Sequence, residues 1–207
     1  MKKIKIFTRF ERFWHWSQMA VVVLLILTGF EIHGNYEMFG FEQAVRLHNA
    51  AAITFIVLGF ITIFWLFVTG QYQNFIPTRH KLMEQINYYT KGIFHHAPHP
   101  TQKTATNKLN PLQRITYLGL LILIFPVQTL TGLLYMYYHY PENPIDASGL
   151  WLAVITHTLG ALLVVAFVII HVYMTSTGHR ITTNVKAMIT GFEEEPILKE
   201  NTENQPA

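Results

Sequence analysis

Four long apolar runs organise this 207-residue chain, and the segments between and beyond them hold almost all of its charge. A hydrocarbon core of about 30 Å is crossed by about 20 residues of helix. The runs over about 14–32, 50–68, 115–138 and 150–175 meet that length. None alternates between apolar and polar with period two, so none reads as a membrane β-strand. The pattern predicts an all-α integral membrane four-helix bundle, one domain over 1–192, followed by a polar, mobile tail over 193–207. Gly29, Gly59, Gly119, Gly132 and Gly160 lie inside the runs, where a missing side chain lets a neighbouring helix or a flat ligand come close. Pro126 removes a backbone donor and predicts a kink in the third run.

The segments between the runs set the orientation. Lys2, Lys3, Lys5, Arg9 and Arg12 precede the first run. Arg79, Lys81, Lys91, Lys103, Lys108 and Arg114 fall between the second and third, and Arg180, Lys186 and Lys199 follow the fourth. Only Arg46 falls on the other side. The positive-inside rule then places both termini and the middle loop in the cytoplasm, N-in and C-in. Trp14, Trp16, Trp65 and Trp151 stand at run ends, where amphipathic rings favour the headgroup level. In the middle loop Leu82, Ile86, Tyr89 and Ile93 recur at helical spacing. Residues 79–94 are read as an amphipathic helix on the membrane or against a partner. A signal peptide is disfavoured, because the first run is too long and no A-x-A-like site follows it.

Composition agrees with a membrane protein: 51% of residues are hydrophobic and 13% charged, about half the charged share of a soluble domain. There is no cysteine. That excludes disulfides, cysteine-ligated iron–sulfur clusters, thiolate catalysis and covalent haem attachment through C-x-x-C-H. Nothing in the charge pattern suggests nucleic acid.

Eleven histidines become informative once depth is assigned. An imidazole in hydrocarbon is costly and needs a reason. His15 starts the first run, at the cytoplasmic level, and His48 starts the second, at the outer level. The fourth run travels inward, so His157 is outer and His171 inner. Fourteen residues separate these two, roughly 21 Å along a helix and within roughly 40° of one face. The depths match in pairs, His48 with His157 and His15 with His171. Two imidazoles from different helices at one depth suit the axial positions of a haem iron. Bis-histidine ligation leaves no open position and favours electron transfer. Satisfied core histidines and a proton or ion transporter are the competing readings. The transporter reading is weakened because no Asp or Glu lies within the second, third or fourth run. His33 and His139 are read as interfacial, His80 as surface, the cluster at His95, His96 and His99 as a solvated or partner-facing loop, and His179 as following the last run.

The chain resembles the membrane cytochrome b subunit of respiratory formate dehydrogenases. More broadly, it is similar to the bacterial cytochrome b561-like group that serves nickel–iron hydrogenases and thiosulfate reductases. The residues carrying the likeness run from Arg9-Phe10-Glu11-Arg12-Phe13-Trp14-His15-Trp16 through Thr28-Gly29 and His48. Phe75-Ile76-Pro77, Asn110-Pro111-Leu112-Gln113-Arg114 and Thr131-Gly132 continue it, and His157, His171 and Met188-Ile189-Thr190-Gly191 complete it. The resemblance implies two haem b groups and a quinone site, for menaquinone or ubiquinone, beside the cytoplasmic haem. Its quinone pocket maps onto His171 and Asn110, with Gln113 nearby. It also implies a periplasmic redox partner: an iron–sulfur protein, molybdoenzyme, hydrogenase or multihaem cytochrome c. Arg9, Arg12 and Arg180 are candidate partners for haem propionates, because charge-assisted pairs with carboxylates are strong. The expected function is a diheme cytochrome of the bacterial inner membrane that links a partner redox subunit to the quinone pool. It would act as an electron-transfer subunit of an oxidoreductase complex, not as a catalyst of the primary substrate. A haem-containing anchor without its own quinone site is the alternative.

Overall fold

A computed structural model describes residues 2–95, 97, 100–101, 104, 107–138, 147–177 and 182–195. Arg180, His96, His99, His139, His179 and the tail beyond 195 lie outside the described residues. Four helices are long and apolar enough to cross a membrane. Helix α1 spans Arg9–Ile32 and α2 spans Phe41–Thr69. A loop helix, α3, covers Leu82–Thr90. The third crossing is built from α4 (Pro111–Gly119), a π-helical turn (Leu120–Ile124) and α5 (Phe125–Tyr137). The fourth is α6, Ala147–Thr175, and a short α7 follows at Thr183–Thr190. Helices α1 and α2 pack as one pair, α5 and α6 as another.

The burial pattern is that of a bundle facing lipid. Large apolar side chains point outward, Phe64 being 70% exposed and Leu152 66%, while polar Thr28 and Thr62 are buried. Water would penalise that arrangement and hydrocarbon does not.

Helix starts have local causes. Thr8 caps α1: its hydroxyl accepts from the Glu11 N–H, and the Glu11 carboxylate accepts from the Thr8 N–H. This reciprocal box satisfies two otherwise orphaned donors. Asn110 and Gln113 form the same box on α4, with Pro111 in its first turn. The disturbance expected at Pro126 takes the form of a π turn just before it. There the Phe125 N–H reaches the Leu120 carbonyl, five residues back.

Two short strands were not foreseen. β1 (Lys2–Lys5) and β2 (Phe192–Glu195) pair antiparallel, Lys3 opposite Glu194 and Lys5 opposite Phe192. Residues 193–195, expected to open the tail, are thus held in a ribbon with the N-terminus. The loop helix is shorter than the pattern suggested, and its inward face includes a polar residue. Gln85 is fully buried, its Oε1 accepting from the Thr101 hydroxyl at 2.9 Å.

Candidate haem sites

The first pair of histidines comes from α2 and α6. The ring centres of His48 and His157 stand 6.4 Å apart with planes at 71°. The second pair comes from α1 and α6, where His15 and His171 stand 6.2 Å apart at 45°. The structure therefore brings together both pairs expected from depth. A metal held between two imidazole nitrogens at about 2.0–2.1 Å each separates the ring centres by about 6.3 Å. Both pairs have that spacing, so these side chains fit a bis-histidine haem iron.

Threonines hold the first pair. Thr28 Oγ1 lies 2.9 Å from His48 Nδ1, and Thr131 Oγ1 lies 3.0 Å from His157 Nδ1. The glycine after each threonine lies against the same ring. A Cβ on Gly29 would meet His48 Cε1 at 3.6 Å, and one on Gly132 would meet His157 Cε1 at 3.1 Å. Sequence reasoning used the Thr-Gly pairs only as marks of resemblance and missed this contact. The available signal was their recurrence on the helix preceding a core histidine. The second pair is held differently. Tyr117 Oη lies 3.4 Å from His171 Nδ1. His15 Nδ1 is buried and has no partner among the described residues, as do Gln18 Oε1 and Gln128 Oε1.

The loop residues expected near a quinone have structural duties. Asn110 is 8% exposed. Its Oδ1 caps α4, and its Nδ2 donates to the Tyr89 hydroxyl at 3.0 Å. Burial pushes the Tyr89 hydroxyl up to about 12, against a smaller opposing effect of the Asn110 hydrogen bond, so Tyr89 keeps its proton at neutral pH. Gln113 is the other half of the cap. Arg114 ties the loop together, donating to the Ile76 carbonyl at 3.0 Å and to Asn107 Oδ1 at 2.7 Å.

Two of the candidate propionate partners can be placed. Arg9 is exposed at the start of α1. Arg12 donates from Nη1 to the Ile189 carbonyl at 2.5 Å, beside the Trp16 Nε1 bond to the Met188 carbonyl. The Ile6 and Phe7 amides both donate to the Gly191 carbonyl. Gly191 itself has φ +89°, and a Cβ there would stand 2.8 Å from the Phe7 carbonyl oxygen. The Met188–Gly191 stretch is therefore the seat on which α1 begins.

Four apolar crossings make this a multi-pass membrane protein, and the family it matches makes it a bacterial membrane cytochrome of the haem b electron-transfer class. The chain belongs to the prokaryotic cytochrome b561 family, which matches residues 6–191. It is also similar to the Escherichia coli (strain K12) protein named "Putative cytochrome YdhU". The two are 28% identical over 201 residues, covering 92% of this chain and 75% of the relative.

Proposed function

We propose that the chain is the diheme membrane subunit of an oxidoreductase complex in the bacterial inner membrane. It passes electrons between a partner redox subunit and the quinone pool. The observation that carries this reading is the matched spacing of two imidazole pairs, 6.4 and 6.2 Å, that share α6. His48 and His157 would hold one haem b near the outer surface, and His15 and His171 a second near the cytoplasm. Haem b supplies one-electron iron chemistry when bound. The protein orients the imidazoles, excludes water and divides a hydrocarbon core of about 30 Å into two levels. Arg9, Arg12 and Arg180 would meet propionates at the inner level. Tyr117, Asn110 and Gln113 would border the quinone site beside His171.

Purified protein reduced with dithionite should show a b-type α-band and two haems per chain. His157→Ala should lose one of them. A chain that binds no haem sinks the reading, and a His157→Ala variant that keeps both breaks the pairing.

A haem-bearing anchor without its own quinone site is the second reading. It is favoured by the Asn110 and Gln113 side chains, which already serve the α4 cap. Reduction of the haems by a quinol analogue supports the first reading, and failure of that reduction in haem-loaded protein supports the second.

A further inference from the structure

The two threonines at the His48/His157 pair are related in more than identity. Each lies one residue before a glycine, on the helix preceding that of its histidine: Thr28 on α1 for His48 on α2, Thr131 on α5 for His157 on α6. Each hydroxyl already has an acceptor four residues back in its own helix. Thr28 Oγ1 donates to the Leu24 carbonyl at 2.7 Å, and Thr131 Oγ1 to the Val127 carbonyl at 2.6 Å. A threonine hydroxyl carries one proton. With that proton committed, its oxygen faces Nδ1 as an acceptor, and the histidine must supply the hydrogen. The carbonyls one residue further on, Leu25 and Gln128, lie 3.3 and 3.5 Å from the same two hydroxyls and offer the proton a second acceptor within the helix. Each ring is therefore the Nδ1–H tautomer, and Nε2 is the nitrogen with a lone pair for a metal.

We propose that Thr28 and Thr131 are positioning residues for the haem at His48/His157. They select the Nε2-ligating tautomer, lock the rings against Gly29 and Gly132, and lower the midpoint potential of that haem relative to one without these acceptors. An acceptor at Nδ1–H raises the basicity of the ligating nitrogen. A more basic axial ligand stabilises the oxidised, more positively charged iron, which lowers the potential. Among the described residues the His15/His171 pair has no threonine in this role, and its Nδ1 contact is the longer one to Tyr117. The two haems thus differ by construction, although all four ligands are histidine. This inference rests on the diheme reading above.

The test is a redox titration of detergent-purified full-length protein with Thr28→Val, Thr131→Val and the conservative Thr28→Ser. The component that disappears in His157→Ala identifies the outer haem. Valine keeps the branched shape and removes the acceptor. The expected result is an upward shift of the outer midpoint potential in both valine variants, with the inner component unmoved and Thr28→Ser close to wild type. Loss of the outer haem alone, as a 10–100-fold fall in its affinity rescued by serine, also supports the proposal. Unmoved potentials in both valine variants overturn it. So does loss of both haems together, or an equal effect of serine and valine, since each marks a merely structural role. Absence of haem from the wild-type chain would instead strike down the diheme reading itself.

Discussion

At the scale of single residues, the two glycines beside the His48/His157 pair have unequal freedom. A Cβ on Gly29 would make an ordinary contact with His48 at 3.6 Å, whereas on Gly132 it would press on His157 at 3.1 Å. Alanine gains up to about 1 kcal/mol over glycine in a helix interior. Gly29→Ala should therefore be neutral or slightly stabilising. Gly132→Ala should displace the His157 ring and lower the haem-to-protein ratio, as read by pyridine haemochrome quantification. Equal effects of the two would show that ring clearance is not what Gly132 provides. The buried carboxylate of Glu31 works at the C-terminal end of α1. Its Oε1 accepts from the Met38, Phe39 and Gly40 amides at 2.7–2.8 Å and pins the turn into α2. The pinned turn carries the chain from α1 into α2, on which His48 is mounted.

Between elements, a buried ion pair joins the middle loop to the start of α1. Lys108 Nζ donates to Glu11 Oε1 at 2.6 Å, with side chains only 8% and 16% exposed. Removing one partner of a buried pair leaves an uncompensated charge and costs about 3–5 kcal/mol. Lys108→Met should lower the Tm of the purified protein clearly. Adding Glu11→Gln should recover part of the loss, because the remaining charge is then neutralised while a capping acceptor stays in place. A double variant no more stable than Lys108→Met would refute this coupling. The motif at 110–114 reads differently with this packing in view. Asn110, Pro111, Gln113 and Arg114 form a cap, a first-turn proline and a loop clasp. The chemistry of residue types could not separate that duty from quinone contact, since one amide group serves either.

For the whole molecule, the charge asymmetry predicts a measurable topology. The chain has no cysteine, so a single introduced thiol reports its own side. Glu37→Cys, in the turn between α1 and α2, should react with an impermeant maleimide in intact spheroplasts. Lys91→Cys, just past α3, should react only after permeabilisation. The reverse pattern would invert the assignment of outer and inner pairs.

The all-helical membrane class and the approximate positions of its crossings were already present in the sequence. Hydrocarbon imposes one requirement over about 20 residues at a time, and hydropathy reports it directly. Depth followed from charge, and depth with helical periodicity chose His48 for His157 and His15 for His171. Those are one-dimensional quantities along the membrane normal, so a chain read in order carries them. The tertiary structure decided what depends on lateral packing. It showed that Thr28 and Thr131 meet the rings of His48 and His157, and that Lys108 reaches Glu11 across 97 residues of chain. It also seated the last helical turn of α7 under Arg12. Such contacts rest on which faces of separate helices turn toward one another, and no periodicity within a single helix specifies that.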